Sequence, residues 1–167
     1  MGYHEHKHLA VKSVKCAVIT TSDSRTESED ESGRLIRQKL ADAGHQVTHY
    51  AILKNDATAI RNQVQDLLQR DDVQAVITSG GTGLSHRDVT VDTIAALLQK
   101  KLEGFGELFR QLTYQEIGAG SILSRALSGV ANGKVILCIP GSVGAATMAM
   151  DKIIVPELGH LVREATR

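Results

Sequence analysis

The residues that most clearly suggest chemistry form a glycine-rich loop. Gly80-Gly81-Thr82-Gly83 follows the apolar run VQAVITS, so three glycines surround one hydroxyl. Glycines let the main chain approach a ligand closely and turn several N–H groups toward one anion, which suits a phosphate. A tight turn between a strand and a helix is the alternative interpretation. The loop is neither a Walker A loop nor a G-x-G-x-x-G dinucleotide fingerprint, since it lacks the residues that define them.

Two aspartates are candidate metal ligands. Asp56 and Asp88 each come between a strand-like run and a helical pattern. One or two carboxylates, together with substrate phosphates, are the usual ligands of Mg²⁺. Helix capping is the competing interpretation, and it is favoured for Asp56. For Asp88 it is weaker, because Thr90 is also available as a cap and Arg87 adds a positive charge beside the glycine loop.

Three further segments carry side chains that could hold a polar ligand. Thr21-Ser22-Asp23 and Pro140-Gly141-Ser142 each follow a strand-like run, and Ser124-Arg125 places a hydroxyl beside a guanidinium. A serine nucleophile needs a neighbouring base, and no serine lies in a G-x-S-x-G elbow, which disfavours acyl transfer. Both Ser124 and Ser142 are better interpreted as hydrogen-bond donors to a phosphate or a polar ring, with helix capping as the alternative for Ser142.

The sequence around these residues alternates between two periods. Short apolar runs predict strands over 15–21, 47–53 and 73–79, and amphipathic patterns predict helices that include 31–43 and 91–98. This alternation predicts an α/β domain with a mostly parallel sheet and helices on both faces. In such sheets ligands bind beyond the carboxyl ends of the strands, which is where the candidate residues fall.

The second half of the chain is less regular. Asn132-Gly133 lies between two apolar runs and is a strong two-residue turn signal, so a hairpin and one antiparallel strand are expected. A single last helix is predicted from Gly144 to Arg163, with only Pro156 to bend it.

Composition excludes several classes of function. The 167 residues carry 19 Lys and Arg against 19 Asp and Glu, and only 3% are aromatic, so neither charge nor base stacking favours nucleic-acid binding. Cys16 and Cys138 lie in apolar runs without metal-ligand spacing and are predicted to be buried core residues. Without a membrane-length apolar run or a secretory signal, a cytoplasmic protein with no membrane partner is expected.

The length predicts a single domain, which is expected over residues 14–167. Residues 1–13 are expected to form a mobile tail, because this charged terminus has no periodic apolar face. His4, His6 and His8 alternate in that tail, and adventitious metal binding is favoured there over a physiological site. The acidic run 27–32 is interpreted as a solvated loop, since it lacks the glycine and the spaced ligands of an EF-hand.

Together these segments resemble the MoaB/MogA family of molybdenum cofactor biosynthesis proteins, the molybdopterin adenylyltransferase type. The most specific element is SGGTGLSHRDVTVDTI at 79–94. It is supported by TSDSR, AGH, EGFGELFRQLTYQEIG, LSRA and PGS, in that order along the chain. The resemblance runs from about residue 14 to the end.

The resemblance implies a three-layer α/β fold that assembles as a trimer or a hexamer. It also implies an enzyme in which the terminal phosphate of molybdopterin attacks the α-phosphate of Mg-ATP, giving adenylylated molybdopterin and pyrophosphate, with hand-over to a molybdenum insertase. By position, Asp56 and Asp88 are the essential acidic pair. The implied substrate-binding residues are Thr21, Ser22, Asp23, Gly80, Gly81, Thr82, Gly83, Arg87, Ser124, Arg125, Pro140, Gly141 and Ser142.

Three other functions remain alternatives. A non-catalytic molybdopterin carrier would keep the fold and bind the pterin without ATP-dependent release of pyrophosphate. A nucleotide pyrophosphatase of related fold usually continues its glycine loop with Pro-Thr and paired aspartates, which the segment 84–88 does not do. A pure assembly scaffold is disfavoured only by the glycine loop and its acidic neighbours.

Overall fold

The apolar runs form one mixed sheet in the computed structural model, which describes residues 8–167. Its strands are β1 (Lys15–Thr21), β2 (Gln46–Leu53), β3 (Ala75–Ser79), β4 (Lys100–Lys101), β5 (Leu127–Ala131) and β6 (Lys134–Ile139). They lie in the order β2-β1-β3-β6-β5-β4, and β5 alone runs in the direction opposite to the other five strands. The predicted mostly parallel sheet with one antiparallel strand is confirmed.

Helices cover both faces of the sheet. They are α1 (Glu31–Asp42), α2 (Ala57–Gln69), α3 (Thr90–Ala95), α4 (Glu103–Ile117), α5 (Val143–Ala149) and α6 (Val155–Ala165). Residues of α2 and α3 pack on one face, and residues of α1, α4, α5 and α6 pack on the other. The three layers predicted from the sequence are therefore present.

Successive strand residues enter two separate cores because side chains alternate between the faces of a sheet. Val18 packs in the core under α1, and the next residue, Ile19, packs in the core under α2. Burial on both faces explains why the strands are continuous apolar runs. Cys16 and Cys138 lie in opposite cores and are fully buried as predicted, and burial raises the pKa of both thiols to about 12.

The predicted hairpin is confirmed. Asn132 and Gly133 connect β5 to β6 with φ angles of +53° and +70°. Positive φ at both central residues is the requirement of a type I′ turn, which Asn-Gly meets with little strain.

Three predicted boundaries were wrong. Strand β3 begins at Ala75, two residues later than predicted. Helix α3 ends at Ala95, although the predicted helix included residues up to 98. The chain turns there to pair with β5, where the N–H of Gln99 donates to the carbonyl of Val130 (2.9 Å). The last helix is also divided, since a π-helical segment, Met150–Ile154, separates α5 from α6. This wider turn ends two residues before Pro156, whose ring clashes with the preceding turn of a regular α-helix.

The segment before β1 contacts α6 through Val11. Its N–H donates to the carbonyl of Gly159 in α6 (3.1 Å), and a Cβ on Gly159 would lie 2.1 Å from the carbonyl oxygen of Val11. His8 is exposed, while His4 and His6 lie outside the described residues. Among residues 8–167 there is no helix with the length and apolarity to cross a membrane.

Candidate functional site

The candidate segments meet at one edge of the sheet because they follow the carboxyl ends of the parallel strands β1, β2, β3 and β6. Main-chain hydrogen bonds connect these ends. The N–H of Ser22 donates to the carbonyl of Leu53 (2.8 Å), and the N–H of Gly80 donates to the carbonyl of Ile139 (3.0 Å). The topology thus brings together four segments that are far apart in the chain.

The glycine loop after β3 packs tightly against β1 and α3. Gly80 and Gly81 have φ angles of +103° and +64°. A Cβ on Gly80 would lie 2.5 Å from the carbonyl oxygen of Thr21, and one on Gly81 would lie 2.2 Å from Thr90 Oγ1. Thr90 Oγ1 lies 3.1 Å from Thr21 Oγ1, so the two buried hydroxyls join the strand end to the helix. Both glycines are therefore required by the fold, whatever the loop binds.

Asp88 folds back over the end of this loop. Its Oδ2 accepts the N–H of Ser85 (3.0 Å), and a Cβ on Gly83 would lie 2.7 Å from the same oxygen. Gly83 therefore leaves room for the carboxylate. The structure assigns no capping bond to Asp88, and the residue at the N-terminus of α3 is Val89.

Asp56 caps α2, as the competing interpretation predicted. Its Oδ1 accepts the N–H of Ala59 (2.7 Å), and the residue is exposed. The cap fixes the carboxylate at the edge of the sheet, and its role as a metal ligand stays a prediction.

Asp23 connects the loops that carry the two candidate ligands. Its Oδ1 accepts the N–H of Asn55 (3.0 Å), and its Oδ2 accepts Nε (3.1 Å) and Nη2 (2.7 Å) of Arg87. The hydrogen bond from Arg87, followed by those from Asn55, lowers the pKa of Asp23 to about 2. The segments around Asp56 and Asp88 are thus held to one acidic side chain, which remains ionised at neutral pH.

Arg125 holds the glycine loop to α3. Its Nε donates to the carbonyl of Gly83 (3.2 Å), while Nη1 and Nη2 bond the two carboxylate oxygens of Asp92 (3.0 and 2.8 Å). The paired guanidinium keeps the pKa of Asp92 below its usual range. This geometry makes Arg125 a support of the loop, and direct substrate contact by Arg125 stays a prediction.

A cleft of about 410 Å³ opens beside the glycine loop. Five predicted residues line it: Thr82, Gly83, Ser124, Pro140 and Ser142. The other lining residues are Phe109, Thr113, Glu116, Ile117, Gly120, Leu123, Gly144, Ala145 and Met148. An apolar wall with a few polar groups at this volume is typical of a small-molecule site.

The candidate carboxylates at this edge have the chemistry that a magnesium ion bound through substrate phosphates requires. Mg²⁺ retains several waters and needs only one or two protein carboxylates, which Asp56 and Asp88 could supply. Within residues 8–167 no group of three or more His, Cys, Asp or Glu side chains forms a complete metal site. A magnesium ion here would therefore depend on the substrate for part of its coordination.

Asp30 is an important residue that the sequence analysis misplaced in a solvated loop. Its side chain is fully buried, and it accepts hydrogen bonds from Thr20 Oγ1 (2.6 Å), the Tyr50 hydroxyl (2.6 Å) and the N–H of Gly33 (3.0 Å). Burial raises the pKa of this carboxyl, but the hydrogen bonds outweigh burial, so the pKa lies below its usual value. The available signal was an N-cap, since aspartate directly precedes the helical pattern of α1.

Fold and site together define a class, that of α/β proteins with a small-molecule cleft and a glycine-rich loop at the carboxyl edge of the sheet. The family model described as "Probable molybdopterin binding domain" matches residues 17–160. The chain belongs to this family of molybdopterin-binding domains.

Relatives and solved structures agree with this assignment. Molybdenum cofactor biosynthesis protein B of Bacillus anthracis is 48% identical over 168 residues, which cover 100% of this chain and 99% of the relative. A crystal structure of a molybdenum cofactor biosynthesis protein B has a TM-score of 0.90 at 48% identity, covering 92% of this chain and 96% of that one. For the tungsten cofactor synthesizing protein MoaB of Pyrococcus furiosus the TM-score is 0.84 at 34% identity, with 95% and 100% covered. These matches support a role in molybdenum cofactor biosynthesis.

Proposed function

We propose that this protein is a molybdopterin adenylyltransferase, which transfers AMP from Mg-ATP to the phosphate of molybdopterin and releases pyrophosphate. One observation carries the proposal. Gly83 lines the cleft and packs beside the carboxylate of Asp88, so the phosphate of a ring bound in the cleft would lie next to the glycine loop and Asp88.

The chemistry requires no strong general base. A phosphate monoester has a second pKa near 6 and is mostly dianionic at neutral pH. Its oxygen attacks the α-phosphorus of ATP, a new P–O bond forms, and the bond from the α-phosphorus to the bridging oxygen breaks to release pyrophosphate. Asp23 could not act as a base in any case, since its pKa of about 2 leaves it a very weak proton acceptor.

The residues at the edge of the sheet instead align two polyanions. The loop amides of Gly81–Gly83 and the guanidinium of Arg87 would contact phosphate oxygens, while the N–H of Gly80 is already bonded to the carbonyl of Ile139. Asp23 orients Arg87 by accepting two hydrogen bonds from its guanidinium. Asp56 and Asp88 would hold Mg²⁺, which neutralises phosphate charge when it is bound. Alignment and charge neutralisation account for most of the rate in such transfers.

The decisive experiment incubates the purified protein with molybdopterin, ATP and Mg²⁺ and measures pyrophosphate and adenylylated pterin. Equimolar formation of both supports the proposal. Tight molybdopterin binding without pyrophosphate would make the protein a carrier. Pyrophosphate and AMP formed without pterin would make it a nucleotide pyrophosphatase.

Self-assembly into a trimer or a hexamer is part of the proposal. Four apolar side chains at the end of α4 and in the 3₁₀ turn that follows are between 57% and 78% exposed: Tyr114, Ile117, Ile122 and Leu123. We call these residues the apolar rim. Large adjacent apolar side chains on a surface are typical of an interface, and a second copy of the chain is the occupant we propose. Hand-over of the product to a molybdenum insertase also belongs to this proposal.

A further inference from the structure

The loop between β1 and α1 is held in shape by its own side chains. Ser22 Oγ accepts hydrogen bonds from the N–H groups of Ser24 (3.4 Å) and Arg25 (3.1 Å). Thr26 donates both its N–H and its hydroxyl to Glu29 Oε2 (3.0 and 2.8 Å). Such local bonds from side chain to main chain restrict the conformations of a loop. The loop can therefore act as a rigid spacer between the groups that it contacts.

The base of this loop is fixed to the buried carboxylate of Asp30. Ser32, which is also buried, donates its hydroxyl to Asp30 Oδ1 (3.3 Å) and accepts Nη1 of Arg25 (3.1 Å). The same nitrogen lies 3.9 Å from Asp30 Oδ1. The guanidinium of Arg25 is therefore anchored on an acid that the interior holds in place.

From this anchor Arg25 reaches the turn after β6. Its Nη1 donates to the carbonyl of Gly141 (3.2 Å), 116 positions further along the chain. The next residue, Ser142, lines the cleft and caps α5 by accepting the N–H of Ala145 (3.2 Å). Gly141 is also packed against the glycine loop, since a Cβ there would lie 3.1 Å from Gly80 Cα. Arg25 thus acts on the turn that carries Pro140 and Ser142, two residues of the cleft wall.

The same loop contacts the other side of the site through Asp23. As described above, Asp23 holds the N–H of Asn55 and the guanidinium of Arg87. Residues 23 and 25 of one rigid loop therefore reach the two halves of the site separately.

We infer that Arg25 is a positioning residue for the pterin side of the cleft, and that its loop sets the distance between the two substrates. This inference rests on the proposed function. A guanidinium is suited to the role because its planar array of donors can serve acceptors in two segments at once, whereas the shorter lysine side chain carries a point charge.

The test compares Arg25→Met, Arg25→Lys and the matched control Arg34→Met. Arg34 is an exposed arginine that donates to the carbonyl of Ser28 (2.8 Å), which lies within this loop, whereas Arg25 donates to the turn after β6. Equilibrium Kd values are measured separately for molybdopterin and for Mg-ATP. We expect Arg25→Met to weaken molybdopterin binding about tenfold and to change nucleotide binding less than about twofold. The molybdopterin Kd of Arg25→Lys should lie between those of wild type and Arg25→Met.

A general folding defect would weaken both ligands, so the ratio of the two Kd changes is the decisive quantity. Equal losses for both ligands, or a pterin loss no larger than that of Arg34→Met, would overturn the role of Arg25. If the wild-type protein binds molybdopterin but releases no pyrophosphate, adenylyl transfer is wrong while the Kd ratio still decides the role of Arg25. If it binds no molybdopterin, both proposals are wrong.

Discussion

At the level of single residues, two arginines near the candidate site are each bonded to an acidic side chain. Asp23 bonds Arg87, and Asp92 bonds Arg125, both at distances typical of charge-assisted hydrogen bonds. Because Asp23 orients Arg87, a phosphate bound as proposed would meet a group that is already in place. Such preorganisation favours catalysis, since little reorganisation is needed during the reaction.

The role of Asp88 can be tested by removing its charge. We expect Asp88→Asn to reduce pyrophosphate release about a hundredfold or more, because it removes a ligand for the cation that neutralises the phosphates, and to change the molybdopterin Kd less than about threefold. Asp66→Asn on the exposed face of α2 is the matched control and should behave as wild type. Large loss of binding with normal single-turnover chemistry would contradict the assignment.

The buried carboxylate of Asp30 makes a prediction about stability and pH. Asp30→Asn keeps the size but replaces an acceptor of several hydrogen bonds, so it should lower the free energy of unfolding by about 2–3 kcal/mol at pH 7. Because the pKa of Asp30 is lowered in the folded state, this contribution is complete above the unfolded carboxyl pKa of about 3.9 and is lost as pH falls through the folded pKa.

Urea unfolding of wild type and Asp30→Asn at several pH values between about 7 and 2 measures this effect. The difference between the two proteins should shrink toward the acidic end. The exposed neighbour variant Glu31→Gln should show almost no difference at any pH. A difference that stays constant across the range would show that the charge of Asp30 is not what stabilises the fold.

At the level of elements, a glycine in a loop is required either by its dihedral angle alone or also by close packing around it. Gly44, which follows α1, has a φ of +84°, and a Cβ added there would meet no atom within 4 Å. Gly81 has a φ of +64°, and a Cβ added there would lie only 2.2 Å from Thr90 Oγ1. The two positions therefore separate dihedral strain from close packing.

Substituting alanine at each position tests this distinction. Gly44→Ala should lower the free energy of unfolding by about 1 kcal/mol, the strain of an alanine in the left-handed region. Gly81→Ala should lower it by about 3 kcal/mol or more, because the loop must also move away from α3. Chemical denaturation measures both, and equal losses would mean that the loop yields to the extra methyl group without resistance.

At the level of the whole molecule, the apolar rim stands beside the mouth of the cleft. Ile117 and Leu123 belong to both, while Ile122 is 78% exposed and does not line the cleft. Assembly through the rim would therefore bring a second copy of the chain next to the cleft.

The substitution Ile122→Asp tests assembly through this surface. We expect wild type to sediment as a trimer or a hexamer, and Ile122→Asp to shift to smaller species, because burying a carboxylate in an apolar interface is unfavourable. Thermal stability of the dissociated chain should be little changed, since the side chain is exposed in the single chain. Leu9→Asp, an exposed apolar residue outside the rim, is the control. Analytical ultracentrifugation decides, and a monomeric wild type would contradict the proposed assembly.

Several features could be read from the sequence because they depend on local physics. Alternating apolar periods predicted the layers, the Asn132-Gly133 turn predicted the hairpin, and the positions after strand-like runs placed the candidate residues at one edge of the sheet. Periodicity and turn chemistry act over a few residues, so a sequence displays them directly.

Tertiary structure alone decided the partners of the charged residues and the burial of Asp30. Arg87 meets Asp23 across 64 positions of sequence, and Arg25 meets Gly141 across 116. The short strand β4 and the early end of α3 likewise depend on pairing with β5. Contacts of this kind arise only when the sheet brings distant segments together, and no local pattern of residue types encodes which of many polar side chains will meet.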